Sequence, residues 1–249
     1  MATGNSASQV RSGEPPVFIE ETGQKGADLD ADRRGVISAA LSSLLFPDRI
    51  ADRGAFRALA RQLDETSSCR VDGLWPDPLR RRLASEASRL AGRARLSHRV
   101  GRRVGAASDS HQYWLDRGPL LQALHHSPQL LTLAELLSGR PMAPFQAAYL
   151  YYPPGAYCGL HTDRPEFELQ MLVHLRGDIG PLLLHPELAS ASAAEIAEHG
   201  GARTSGGGVP LTYPEHGVTV FRGAGIPHER PLHHGPDIGV VLALNYHAR

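Results

Sequence analysis

Residues 149–175 read YLYYPPGAYCGLHTDRPEFELQMLVHL, and this stretch decides the fold. From residue 167 to residue 175, large apolar residues stand at every second position, which predicts a strand with one buried face. The turn sequence PPG separates that strand from an earlier apolar segment. Short strand candidates within the last hundred or so residues predict a sandwich or jelly roll, and they lie at 146–152, 181–185, 217–222 and 238–246.

The residues before 144 show helical rather than alternating periodicity. A helix is indicated between Ser127, a good N-cap, and Gly139, a good C-terminal stop. Apolar stripes at helical spacing predict further helices within 36–45, 56–63 and 79–94. We therefore expect an α+β protein, with a disordered tail at 1–30, a helical region bracing the core at 31–143, and a double-stranded β-helix core at 144–249.

Composition limits the partners that can be expected. Lys plus Arg equals Asp plus Glu at 26 each, so no overall charge attracts nucleic acid or an anionic membrane. Cys69 and Cys158 are the two cysteines, too few for a disulfide framework or a thiolate zinc site. The first residues lack a secretion signal, and no apolar stretch is long enough to span a bilayer. A soluble cytoplasmic protein without a membrane partner is expected.

A metal site is predicted from three side chains. His161 and Asp163 are one residue apart, so on extended backbone both point to the same side and can share a cation. The third ligand is expected from the segment 217–232, GVTVFRGAGIPHERPL, in which a strand and a Gly-rich turn lead to His228. Two imidazoles and one carboxylate on one face leave open positions, as in non-haem iron(II) oxygenases. A lone HxD motif is common by chance, and the strand context on both sides is what favours the metal site.

With these motifs, the C-terminal hundred or so residues resemble the jelly roll of the 2-oxoglutarate- and iron(II)-dependent dioxygenases, near the prolyl hydroxylases and phytanoyl-CoA hydroxylases. The resemblance implies iron(II) held by His161, Asp163 and His228, with 2-oxoglutarate as co-substrate and O2 as oxidant. It also implies hydroxylation, or less often desaturation, of a small substrate such as an amino acid or secondary metabolite. Modification of a protein or nucleic acid, and a non-catalytic metal-binding jelly roll, remain alternatives.

One departure from this family concerns the co-substrate. Many relatives bind the far carboxylate of 2-oxoglutarate with a cation about ten residues after the distal histidine, but Asp237 and Ile238 stand there in this chain. We expect Arg230 to replace that cation, because it lies two residues past His228 and faces the same interior. Arg176 and Tyr151 are further candidates for the same carboxylate, on the basis of positions in relatives.

Two other features have both a functional and a structural interpretation. Arg164 directly follows the HxD motif and could bind an acidic group of the substrate, although a surface salt bridge is an equal alternative. The arginine-rich run from Arg70 to Arg103 could bind phosphate. It lacks interleaved aromatic residues for base stacking, so a solvated helix face without nucleic acid is preferred.

Overall fold

The computed structural model describes residues 53–103, 106–200 and 207–249. The predicted tail at 1–30 and the predicted helix within 36–45 lie outside these residues. The described residues contain helices α1 (Arg53–Thr66), α2 (Asp77–Leu90), α3 (Pro119–His125), α4 (Pro128–Ser138) and α5 (Ala193–Gly200). No helix in these ranges is long and apolar enough to cross a membrane.

The strands are antiparallel and form a jelly roll, as predicted. They are β1 (Ser68–Val71), β2 (Arg95–Arg103), β3 (Ala106–Leu115), β4 (Met142–Tyr152), β5 (Tyr157–His161), β6 (Leu169–Arg176), β7 (Leu182–Leu184), β8 (Val209–Leu211), β9 (Val218–Phe221), β10 (His228–Arg230) and β11 (Gly239–Ala248). The major sheet has the order β1-β9-β6-β11-β4-β3, with β2 also paired to β3. The minor sheet has the order β3-β5-β10-β7-β8, so β3 joins the two sheets.

The region at 31–143 differs from its description as helical. Besides helices it contributes β1 to one edge of the major sheet and the β2–β3 hairpin to the other. The arginine-rich run is accordingly divided, because Arg80 and Arg89 lie on α2 whereas Arg95 and Arg103 lie on β2. The expectation that this run forms a single solvated helix face is therefore wrong. Strand β1 could not be predicted locally because its partner β9 is distant in sequence. Strand β2 pairs with the adjacent β3, but its sequence RLSHRVGRR is rich in arginine and lacks a regular apolar alternation.

The helix between Ser127 and Gly139 is confirmed, with both predicted ends. The Ser127 hydroxyl accepts a hydrogen bond from the Leu130 N–H at 3.3 Å, and this bond satisfies a free donor of the first turn. Gly139 ends the helix with a φ of 71°, a left-handed conformation that suits glycine.

Helices cover the outer face of the major sheet, and its inner face lines the interior of the roll. On β11, Leu242 and Leu244 pack with the helices, whereas Val241 and Ala243 face the interior of the roll. Strand β6 is likewise buried on both faces, whereas its sequence pattern predicted one buried face. A strand between two packed layers needs apolar residues at adjacent positions.

A buried carboxylate fixes α3 against the sheet. Glu86 of α2 is 3% exposed and accepts hydrogen bonds from the N–H groups of Leu120 and Leu121, at 3.0 and 2.9 Å. The Tyr149 hydroxyl of β4 donates to the same carboxylate at 2.8 Å. Three donors, two of them at the start of a helix, satisfy the buried negative charge.

Candidate metal centre

Strand pairing brings the three predicted ligands together. On β5 and β10, His161 is directly opposite His228. Asp163 follows the end of β5, and its N–H donates to the Gly223 carbonyl in the turn after β9 at 3.0 Å. The antiparallel register and this turn contact therefore bring His228 to the same side of the roll as His161 and Asp163, which precede it by 65 or more positions.

The ligand atoms are close enough for a single ion. One ligand atom from each of His161, Asp163 and His228 lies within 4.8 Å of the others. The Asp163 carboxylate is 3.6 Å from His161 Nε2 through Oδ1, and 3.2 Å from His228 Nε2 through Oδ2. Both imidazoles are buried, and the carboxylate side chain is 13% exposed. The structure therefore brings these three side chains together.

Backbone carbonyls fix the orientation of both imidazoles. His161 Nδ1 is 2.7 Å from the Gly159 carbonyl, and His228 Nδ1 is 2.9 Å from the Ile226 carbonyl. A carbonyl can only accept, so each Nδ1 donates its proton and the lone pair of each neutral ring lies on Nε2. Since both Nε2 atoms face Asp163, the donor set fits a divalent metal with open positions.

The charges of the cluster also favour a cation. Burial would lower the pKa of His161, but Cys158 and Asp163 outweigh it and raise that pKa well above its ordinary value. Burial would raise the pKa of Asp163, yet His228 and His161 hold it below its ordinary value. The carboxylate is therefore ionised, and a metal ion that binds here displaces a proton.

Two neighbours that sequence reasoning missed hold Asp163 in place. The Gln170 side-chain amide donates to Asp163 Oδ2. A Cβ atom at Gly223 would overlap both that oxygen and the Gln170 amide, so this close approach requires glycine. Gln170 could have been found from the sequence, because an amide in an apolar strand indicates a buried polar partner.

A cavity of about 310 Å³ opens beside the ligands and has distinct layers. At the level of the ligands, Gln170, Asn245 and Gln146 are paired across β6, β11 and β4. One step further along the same strands lie Leu172, Ala243 and Ala148. The cavity is therefore polar beside the metal site and apolar beyond it.

Arg230 also lines this cavity and is 1% exposed. One of its terminal amino groups donates to the Gly180 carbonyl at 3.3 Å, and the other donates to the Tyr213 hydroxyl. The guanidinium lies over the Tyr152 ring, 4.8 Å from its centroid. Among the described residues no carboxylate pairs with this cation, and its Nε–H has no hydrogen-bond partner. A buried cation without a negative partner is costly unless an anion binds to it.

The other two candidates for the co-substrate carboxylate do not lie at the site. Tyr151 faces the helices, and its hydroxyl donates to the Ala87 carbonyl at 2.9 Å. Arg176 is at the exposed end of β6, where it donates to the Ser88 hydroxyl at 3.1 Å. Arg176 is separated from the cavity because it lies at the end of β6, past the register shift between Val240 and Val241. Tyr151 is separated from it because adjacent positions on a strand face opposite sides. By the same parity, Tyr152 rather than Tyr151 lines the cavity.

Arg164 lines the cavity and also forms a surface salt bridge. It is 46% exposed and forms an ion pair with Glu166 at 3.3 Å. Its guanidinium also lies over the rings of Phe145 and Phe167, at 5.3 and 5.9 Å from their centroids. Cys158 is buried and also lines the cavity, directly opposite Arg230 in the β5–β10 register.

Comparison with known proteins gives structural matches alone. No protein-family model matches the chain, and no curated protein matches it in sequence. The nogalamycin-biosynthesis epimerase SnoN, solved with Fe3+, alpha-ketoglutarate and nogalamycin RO, matches with a TM-score of 0.62 and 16% identity, over 79% of this chain and 85% of SnoN. HygX from Streptomyces hygroscopicus, with nickel and 2-oxoglutarate bound, matches at 0.58 and 15%, over 77% and 87%. A Pseudomonas putida prolyl-4-hydroxylase matches at 0.52 and 16%, over 78% and 99%. The chain therefore has the jelly-roll fold of the 2-oxoglutarate- and iron-dependent oxygenases, as the sequence motifs predicted.

Proposed function

We propose that this protein is an iron(II)- and 2-oxoglutarate-dependent oxygenase that hydroxylates a small organic substrate. His161, Asp163 and His228 would hold the iron. The observation that carries the proposal is the buried Arg230 guanidinium, which has no carboxylate partner in the part of the chain that the structure describes and opens into the same cavity as the three proposed ligands. Proteins of this fold have been solved with iron and alpha-ketoglutarate or with nickel and 2-oxoglutarate, which supports the same pair here.

Each side chain has a definite task in this proposal. The two imidazoles present Nε2 lone pairs, and Gln170 keeps the Asp163 carboxylate turned toward them. Arg230 binds the far carboxylate of 2-oxoglutarate, with the apolar layer of the cavity along the methylene groups between the two ends. Bound iron(II) supplies the oxidising chemistry with O2. In the balanced reaction, 2-oxoglutarate loses CO2 and gains one oxygen atom as succinate, and the other oxygen atom enters a substrate C–H bond.

The substrate is proposed to bind at the polar end of the cavity. Asn245 Oδ1 and Gln112 Oε1 are buried in the cavity wall without hydrogen-bond partners among the described residues. Such acceptors are satisfied when a ligand supplies hydroxyl or amine donors. A cavity of about 310 Å³ accommodates the co-substrate together with part of a small molecule.

Anaerobic mixing tests this function directly. With iron(II) and 2-oxoglutarate under argon, the wild-type protein should develop the weak visible absorption of the chelate, and admission of O2 should yield succinate. The Asp163→Ala variant should show neither. Asp237→Ala, which removes an exposed carboxylate outside the cavity, is the matched control and should behave as wild type. A wild-type protein that binds iron(II) but shows no chelate absorption and forms no succinate would refute the proposal.

A further inference from the structure

A second group of potential metal ligands lies away from the cavity. His185 follows β7, Glu187 belongs to the short 3-10 turn Pro186–Leu188, and His199 lies near the end of α5. One ligand atom of each lies within 4.8 Å of the others. His185 Nδ1 is 3.0 Å from Glu187 Oε1, and the His185 and His199 ring centroids are 5.9 Å apart.

A buried carboxylate orients the central imidazole of this group. His185 and Glu229 are both 0% exposed, and His185 Nε2 is 3.4 Å from Glu229 Oε1. A Cβ atom at Gly208 would collide with the Nε2 edge of the same ring, so backbone closes that side. An Nε2–H that donates to Glu229 leaves the lone pair on Nδ1, which faces Glu187. A carboxylate behind a histidine is the arrangement that commonly fixes the tautomer of a metal-ligating imidazole.

We propose that His185, Glu187 and His199 form a second metal site, which binds a divalent transition ion such as zinc. Two imidazoles and one carboxylate suit zinc, with a water molecule as fourth ligand because Glu187 and His199 are exposed. The ion would link α5 to the minor sheet through ligands 14 residues apart in the chain. The site is separate from the candidate iron centre and does not depend on the proposed oxygenase activity.

The site lies next to the strand that carries an iron ligand. Glu229 is the immediate neighbour of His228 on β10, and the His185 N–H donates to the Pro227 carbonyl at 2.8 Å. An ion bound at His185 would therefore brace the segment that delivers His228. The alternative role for His185 is a protonated imidazole between the carboxylates of Glu187 and Glu229, which would hold no metal.

Zinc stoichiometry distinguishes these two roles. The His161→Ala, Asp163→Ala double variant lacks two ligands of the first centre. After dialysis against micromolar zinc, it should retain about one zinc ion per chain and melt at a higher temperature than without zinc. Adding His199→Ala should weaken zinc binding by roughly 100-fold or more and abolish the thermal shift, since a ligand is lost.

The control in the same double variant is His234→Ala, which removes an exposed histidine outside both groups. It should leave the stoichiometry and the thermal shift unchanged. Zinc content near zero in the double variant, or retention of its zinc after His199→Ala, would overturn the proposal. Iron binding and succinate formation by the wild-type chain are measured separately, so failure of the oxygenase proposal would be recognised independently.

Discussion

Replacing Arg230 by methionine gives the sharpest test of the proposed co-substrate site. Methionine keeps much of the side-chain volume but removes the charge and every donor. The loss of a charge-assisted hydrogen bond is worth about 1.5–3 kcal/mol, which corresponds to a roughly 10- to 140-fold higher Kd for 2-oxoglutarate. The Kd is measured by anaerobic titration of the iron(II)-loaded protein. A thermal melt verifies that Arg230→Met is folded, because the change also removes contacts with Tyr152 and Tyr213.

A shorter ligand separates charge recognition from general damage. 2-Oxobutyrate has the same chelating end but no far carboxylate, so its Kd should be nearly equal in the wild type and in Arg230→Met. Arg176→Ala is the matched control, because Arg176 contacts Ser88 at the surface, and it should leave both Kd values unchanged. The reasoning would be refuted if Arg230→Met bound 2-oxoglutarate as tightly as wild type, or if both ligands weakened by the same factor.

Three further predictions concern the supporting structure. Gly223→Ala should weaken iron(II) binding about tenfold or more, because the added Cβ displaces Asp163. Gly225→Ala is the control and should bind iron(II) as wild type does, because its Cβ meets nothing closer than 3.7 Å. Equal iron(II) affinities of the two variants in a chelator competition would contradict this prediction. Glu86→Gln should lower the free energy of unfolding by about 2 kcal/mol in urea, since three donors lose a charged acceptor, and an unchanged midpoint would contradict that role. Burial lowers the pKa of His125 to about 4, below its ordinary 6.5. As the pH falls below 6.5, the unfolded chain therefore takes up a proton that the folded chain does not, and the free energy of unfolding decreases until about pH 4. In His125→Gln this loss between pH 6.5 and 4 should be smaller, and a pH profile of urea midpoints parallel to wild type would show the assignment to be wrong.

The three candidate metal ligands were predictable because their pattern is local. The one-residue spacing of His161 and Asp163 fixes their parity on a strand, and the turn before His228 carries its own signature. The same two-residue parity placed Arg230 in the interior with His228. Tyr151 was chosen from its position in relatives, and a shift of one residue moves a side chain to the opposite face of the sheet. Tyr152, the next residue, is the one in the cavity.

The features that escaped prediction depend on contacts distant in sequence. Strand β1 is four residues long, and its partner β9 lies far away in the sequence. Tyr213 lies in a loop before β9 and accepts a hydrogen bond from Arg230, and no periodicity in the sequence predicts this contact. The group around His185 could not be predicted from local sequence either, because His199 comes from α5 and Glu229 from β10. Local pattern thus predicts which face a residue occupies, whereas its neighbour across the roll depends on the topology.

The placement of His228 and Arg230 on one short strand has a consequence for selectivity among dicarboxylic oxoacids. Two residues on a strand advance by about 7 Å, so the Cα atoms of the proposed metal ligand and of the proposed carboxylate anchor are about that far apart. Leu172 and Ala243 occupy the wall between these two residues and offer no second place for a charge. An acid with one methylene group fewer would fail to reach the guanidinium, and one with an extra methylene would have to buckle. If 2-oxoglutarate is the co-substrate, as proposed, the spacing on β10 should favour it over both oxaloacetate and 2-oxoadipate.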